Sequence, residues 1–305
     1  MYKPEDFQVV GYTLEEANRI DRPTISYWQD AWRRLKKNPV AMASLVVLVL
    51  LIIMCIIGPY IRGYDFITKN VKMKNRGCSA EYWFGTDYLG RDTFTRIVYG
   101  ARVSLSISFA GVFSGCLVGI ILGVWAGYFG GWVDAVISRL IDVLLAFPGL
   151  LLAIVIVAIL GNGTQNTVIA IAVFAVPSIA RMVRGVVISN KDAQYIGAAR
   201  VMGESNSRII LTHIIPNSVS QIIVNVTLNL GTAILTSSSL SFLGMGVQPP
   251  SPEWGAMLNK AKEVLRVNPW EAVFPGLVIT LVVMSFSLVG DGLRDALDPK
   301  LKNVS

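Results

Sequence analysis

The sequence predicts an all-α protein that crosses a lipid bilayer six times, and three observations carry that expectation. Of its 305 residues, 53% are hydrophobic and only 15% are charged, against about 25% charged in a soluble domain. Five long stretches, Pro39 to Ile61, Val103 to Val133, Val143 to Ala180, Ile209 to Pro252 and Ala272 to Gly290, contain no Lys, Arg, Asp or Glu. Each holds at least one helix of roughly 20 residues, the length that crosses about 30 Å of hydrocarbon. None alternates polar and apolar residues as a membrane β-barrel requires.

The elements follow in chain order. Residues 1–38 divide into a polar tail, 1 to about 23, and a short amphipathic helix. In the helix Ile25, Trp28, Trp32 and Leu35 recur at helical spacing, with Arg33, Arg34, Lys36 and Lys37 beside them. That pattern describes a helix lying in the membrane interface, aromatic side down. A transmembrane domain is expected over 39–298, with spans at about 40–60, 103–126, 138–160, 166–188, 217–242 and 271–290, and a short tail at 299–305 follows. A long polar segment, 62–102, separates the first two spans. The turn Gly161-Asn162-Gly163-Thr164 parts the third from the fourth.

Orientation rests on Lys and Arg. Four basic residues precede span 1 and four follow it (Arg62, Lys69, Lys72, Lys74), so that span is balanced. The turn after span 3 has none, whereas the segment after span 4 has Arg181, Arg184, Lys191, Arg200 and Arg208. The positive-inside rule places that segment, and with it both termini, in the cytoplasm.

Other classes are disfavoured. The net charge of +7 is spread beside the apolar runs, which points to anionic lipid headgroups and not to nucleic acid. Cys55, Cys78 and Cys116 form no disulfide or metal framework, and His213 is the sole histidine, so zinc and haem sites are not expected. No cleavable signal peptide is expected, because the first apolar run begins near residue 39 behind a mixed-charge tail. An ion-coupled carrier would place acids in the apolar runs or show inverted repeats. An intramembrane enzyme would need a base near the span 5 serines. Neither is visible.

The segment between spans 4 and 5 is the most informative. It reads Tyr195-Ile196-Gly197-Ala198-Ala199-Arg200-Val201-Met202-Gly203, then Ser205-Asn206-Ser207-Arg208, and ends His213-Ile214-Ile215-Pro216-Asn217. This predicts a helix, a glycine break and a second helix capped by Ser205: a compact elbow that can press into a partner. The segment resembles the coupling loop of ABC importer permeases, whose pattern is Glu-Ala-Ala, three residues, Gly, nine residues, Ile-x-Leu-Pro. Ala198, Ala199, Gly203 and Pro216 stand at matching positions. Gly197 replaces the Glu, and His213 and Ile215 replace the Ile and Leu. The segments Phe84-Gly85-Thr86-Asp87, Leu89-Gly90-Arg91-Asp92, Leu240-Ser241-Phe242-Leu243-Gly244, Glu253-Trp254-Gly255 and Gly290 to Pro299 are similar to oligopeptide/dipeptide-type permeases. The likeness runs from about Trp28 onward.

That resemblance implies a type I ABC importer permease fold in a bacterial or archaeal cell membrane, with the coupling loop at 189–215. It further implies a second homologous permease, two ATPase subunits that bind ATP and Mg, and an extracytoplasmic binding protein. The chain itself has no phosphate-binding Gly-x-x-x-x-Gly-Lys-Ser/Thr loop and no cofactor is expected in it. The coupling positions implied are Gly197, Ala198, Ala199, Arg200, Gly203 and Arg208, with Arg200 or Arg208 standing in for the missing Glu. The implied cargo is a peptide. Nickel or another small solute is the alternative, although a transition metal favours His or Cys along the path. Segments 62–102 and 244–270 are the expected receivers of the binding protein.

Two spans carry further patterns. In span 2, Gly111, Gly115, Gly119, Gly123 and Gly127 recur every fourth residue and form a groove for a neighbouring backbone. A period of four drifts around a helix that advances 100° per residue, so a crossing partner from the same chain is expected. In span 5, Ser218, Gln221, Asn225, Asn229, Thr232, Thr236 and Ser239 share one face. Such a face belongs against protein or water, and Asn225, Asn229, Thr232 and Thr236 are candidate pathway residues able to exchange hydrogen bonds with a passing peptide. Asp134, Arg139 and Asp142 mark a structural ion-pair cluster at the rim of span 3. There Arg139 can reach Asp142 or a neighbouring helix. Pro148, Pro177 and Pro275 are expected to kink their spans.

Overall fold

The computed structural model describes residues 26–298. The expected tails at 1–25 and 299–305, and Ile25 of the amphipathic pattern, lie outside them. Among the described residues every regular element is a helix, apart from one bridge between Thr86 and Asp92. Five helices are long and apolar enough to cross a membrane, and a bent pair supplies a sixth crossing when counted as one span.

Helix α1 (Tyr27–Lys37) leads at once into α2 (Pro39–Arg62). The Asn38 side chain accepts from the Ala41 N–H at 3.1 Å, and Pro39 fits the first turn, where no N–H is needed. Only one side of α1 turns to the protein. Ala31 and Leu35 pack on the end of the last helix, while Trp28 and Trp32 are exposed. Leu35 thus belongs to the protein face and not to the aromatic face that sequence spacing assigns it to.

Helix α3 (Thr93–Phe129) starts ten residues before the expected span. Asp92 caps it, accepting from the Thr95 N–H at 2.8 Å. Arg96 and Arg102 in its first turns obscure it from a hydropathy window, yet both are held. Arg96 donates to the Phe66 carbonyl at 2.8 Å, and Arg102 to that of Cys55 at 2.6 Å.

The expected single span at 138–160 is instead two helices, α4 (Gly131–Ala146) and α5 (Gly149–Leu160), meeting at 93°. Pro148 cannot donate the helical hydrogen bond, and the residue before a proline is pushed out of helical geometry. Phe147 accordingly takes an extended conformation. Helix α6 (Thr164–Asn190) follows and contains Pro177 without a break.

The glycine groove of α3 packs against α6 over its whole length. A methyl group added at Gly111 would lie 2.6 Å from Ile171, at Gly115 2.6 Å from the Ala172 carbonyl, and at Gly119 2.9 Å from Ile179. At Gly123 it would lie 2.6 Å from the Ala180 carbonyl and at Gly127 2.8 Å from Val187. The facing residues Ile171, Ala175, Ile179, Val183 and Val187 also recur every fourth position, each sixty residues beyond its glycine. The two helices therefore run in the same direction and wind around each other, staying in contact for about 24 Å. The expectation of a local crossing fails because the partner has a stripe of the same period.

Helix α7 (Gln194–Val201) and the single turn α8 (Asn206–Ile209) form the segment between spans 4 and 5. A widened π turn, Ile210–Ile214, joins α8 to α9 (Ile215–Phe242) without a gap. Pro216 explains it: the ring crowds the carbonyl four residues back and has no N–H to offer, so a wider turn precedes it. Helices α10 (Trp254–Val264) and α11 (Trp270–Leu297) complete the chain. The largest core cluster joins α2, α3, α9 and α11 through Leu48, Ile107, Val112, Ile234, Val282 and Phe286.

The ion pairs at the rim of α4 reach across to α6. Asp134 takes both Nε (2.5 Å) and Nη2 (2.7 Å) of Arg184, and Asp142 meets Arg181 at 2.7 Å. The cations come from α6, not from Arg139 within the helix.

Candidate functional site

The elbow is fixed at its base and bare at its tip. Ile196 and Ala199 of α7, with Ile209 and Ile214 beyond it, are buried beside Tyr128 and Val187 at the ends of α3 and α6. Gly203 has φ +81, a conformation that closes a helix at little cost only for glycine. Ser205 then accepts from the Arg208 N–H at 3.4 Å and starts α8. Three polar contacts brace the turn. The Tyr128 hydroxyl donates to Asn206 at 2.8 Å, Glu204 pairs with His213 at 3.1 Å, and the Asn217 amide donates to the Tyr195 hydroxyl at 3.0 Å. Arg200 lies over the Tyr128 ring.

Of the sequence-predicted elbow residues, Gly197, Ala198, Arg200, Gly203 and Arg208 are exposed, while Ala199 is buried in the base. A side chain at Gly197 would meet nothing within 4 Å. Two apolar residues that the motif does not mark stand almost bare beside them: Val201 is 88% exposed and Met202 83%. Their position was readable only as the gap between Arg200 and Gly203.

The polar face of α9 divides in the structure. Asn225 and Asn229 are half-buried and bonded to each other, the Asn229 amide donating to both the side chain and the carbonyl of Asn225 at 2.8 Å. Thr236 is buried, its hydroxyl satisfied by the Thr232 carbonyl at 2.9 Å, and Thr232 is exposed. Asn225 and Gln221 open onto a cavity of about 420 Å³ between α6, α9 and α11, to which Met182, Arg294 and Asp298 also contribute. Asn229, Thr232 and Thr236 lie outside that lining. Sequence periodicity could not find Arg294 and Met182, because they come from other helices.

At the opposite end the segments 62–92 and 243–269 fold onto one another. The Asn268 amide donates to the Thr86 carbonyl at 3.0 Å, and Arg91 pairs with Asp87 at 2.6 Å in a buried position. Thr86 in turn donates to the Met73 carbonyl. Glu253 is fully buried. It caps α10 through the Ala256 N–H at 2.8 Å, takes the Ser104 hydroxyl at 3.1 Å, and is followed by Trp254, which donates to the Ile97 carbonyl at 3.0 Å. Burial pushes the Glu253 carboxyl above its ordinary value of 4.5.

A raised carboxyl pKa means that the unfolded chain loses its proton first as pH rises. The contribution of Glu253 to stability is therefore complete below about 4.5 and declines as pH climbs through the higher folded value. Glu253→Gln keeps an acceptor for α10 and cannot ionise. It is expected to change stability by less than about 1 kcal/mol at low pH and to flatten the decline at higher pH. Thermal unfolding of both forms across pH checks this, and parallel curves would reject it.

Comparison with known proteins settles the family. Residues 119–303 match the family described as binding-protein-dependent transport system inner membrane component. The chain belongs to that family. Residues 26–77 of the permease also match the N-terminal TM domain of oligopeptide transport permease C. The dipeptide transport system permease protein DppC of Alkalihalophilus pseudofirmus is 49% identical over 279 residues, which cover 92% of the permease and 92% of that protein. The glutathione transport system permease protein GsiD of Shigella flexneri is 49% identical, covering 90% and 91%. Among solved structures, the inward-facing MetNI methionine ABC transporter has TM-score 0.55 and 19% identity, over 67% of the permease and 96% of that chain. An amino acid ABC transporter has TM-score 0.51 at 18% identity, over 64% and 91%. These two share the fold. The permease is a multi-pass membrane subunit of an ABC importer and not an enzyme.

Proposed function

We propose that the permease forms half of the translocation pathway for small peptides, with energy supplied by separate subunits. The elbow docks on an ABC ATPase subunit that binds ATP and Mg, one of two in the complex. A second homologous permease completes the pathway, and an extracytoplasmic binding protein delivers cargo to the folded cap of 62–92 and 243–269. This reading puts both termini and the elbow in the cytoplasm, the side that the distribution of basic residues favours. The bare apolar tip, Val201 and Met202, on a braced base is the observation that carries this reading. A rigid lever with an apolar end suits a docking site that must transmit movement.

Peptide as cargo is supported by relatives named for dipeptide and glutathione transport. The half-buried amides of Asn225 and Asn229 fit such a cargo, since neutral amides exchange hydrogen bonds with peptide groups without trapping a charge. Replacing both with leucine is expected to lower dipeptide uptake into proteoliposomes about tenfold or more, as two hydrogen-bonding partners worth about 1 kcal/mol each are lost. ATP hydrolysis in the absence of cargo is expected to persist. Undiminished uptake by the Asn225→Leu/Asn229→Leu form would remove these residues from the pathway.

A further inference from the structure

The junction of α1, the start of α2 and the end of α11 forms a second cavity, open to the surface and of about 630 Å³, that plays no part in the proposed transport path. Four cations line it, Arg33, Arg34, Lys36 and Lys37, against two carboxylates, Asp30 and Asp295. Arg34 is taken up by Asp30 at 3.1 Å. Arg33, Lys36 and Lys37 have no ion-pair partner among the described residues. The cavity therefore holds a surplus of positive charge with unspent hydrogen-bond donors.

Its position identifies the kind of anion. The apolar span of α2 begins at Pro39, directly after these cations, and an 18-residue stretch within it has mean hydropathy 3.3. The cations thus stand at the level where water gives way to hydrocarbon. Trp28 (51% exposed) and Trp32 (45%) project from the same helix, and the Lys36 ammonium sits 5.4 Å from the Trp32 ring. Amphipathic rings beside clustered Lys and Arg are the pattern of a helix seated among anionic headgroups. The protein side is rigid: a side chain at Gly292 would come within 2.4 Å of Ala41, so α11 and α2 meet without slack.

We propose that this cavity holds the phosphate headgroup of an anionic phospholipid, with Arg33, Lys36 and Lys37 as its donors and the acyl chains beside α2. Helix α1 is also tied to the cavity between α6, α9 and α11, because the Tyr27 hydroxyl donates to the Leu297 carbonyl at 2.9 Å and meets Ser220 at 3.1 Å. Leu297 and Ser220 line that cavity. A protein partner is disfavoured by the tryptophans, which face the bilayer when α1 lies in the interface.

The test is native mass spectrometry of the assembled transporter after exchange into mixed phosphatidylglycerol and phosphatidylcholine. The parent is expected to retain phosphatidylglycerol selectively. Arg33→Gln/Lys37→Gln should lower that retention about tenfold, and Arg33→Lys/Lys37→Arg should keep it. Equal retention of the two lipids by the parent, or unchanged retention by the glutamine form, would overturn the proposal. So would loss of the lipid to millimolar inorganic phosphate, which would make this a site for free phosphate. If the glutamine form does not assemble, the preference of the parent decides. Protection of Arg33 and Lys37 from labelling by the ATPase subunits, in place of lipid, would also count against it.

Discussion

Val201→Asp/Met202→Asp is expected to reduce cargo uptake at least about 100-fold and to detach the ATPase subunits on purification, while the chain itself stays folded. The two side chains are almost wholly exposed in the isolated subunit, so nothing inside the chain depends on them. Burying an apolar side chain of this size is worth about 1.5 kcal/mol or more. Losing two removes about 3 kcal/mol, a factor of more than 100 in affinity, before the cost of burying carboxylates is added. The base that carries the tip should be unaffected, because Ile196, Ile209 and Ile214 are buried elsewhere. Co-purification and uptake in proteoliposomes check the result. An intact complex with full uptake would place the docking surface elsewhere.

Gly115→Ile and Gly123→Ile are each expected to prevent recovery of a folded chain, and the alanine forms to destabilise it by about 1–3 kcal/mol each. At both positions the nearest atom to an added methyl is a backbone carbonyl of α6 at 2.6 Å. A side chain could rotate away, but a backbone must move, and it cannot do so without opening the contacts above and below it. Total stability is about 5–15 kcal/mol, so a branched side chain in this seam consumes much of it. Gly197 is the control. It lies in a helix with open space around it, and Gly197→Ala should be tolerated or mildly stabilising by up to about 1 kcal/mol. Thermal unfolding of the purified chain in detergent separates the cases. Gly115→Ile melting like the parent would mean that the two helices are not packed as described.

The five long apolar helices, and the bent pair that makes a sixth crossing if counted as one span, were legible because the bilayer demands long uncharged runs. The break at Phe147-Pro148 was legible only as a kink expected at Pro148, since uniform hydrophobicity from Val143 to Leu160 reads as one span. The early start of α3 was hidden by Arg96 and Arg102, whose charges are answered by carbonyls of residues thirty or more positions away. The rim ion pairs failed for the same reason: Asp134 finds Arg184 fifty residues on, beyond the reach of a local rule. The elbow was readable from Gly203 and Ser205, because caps are local chemistry. Its apolar tip needed coordinates, since exposure is a property of the fold. The cavity between α6, α9 and α11 likewise needed coordinates, because Asn225 and Arg294 come from different helices.

The elbow of this permease is expected to touch an ATPase subunit. In a Cys78→Ser background, which removes the exposed cysteine and leaves the buried Cys55 and Cys116, a cysteine-linked photo-crosslinker at position 202 tests it directly in the assembled importer. The expected product is an adduct with a nucleotide-binding subunit, lost when the same probe is moved to position 159 on the opposite side of the membrane. Adducts only with lipid, or none with an ATPase subunit, would show that the elbow does not dock there.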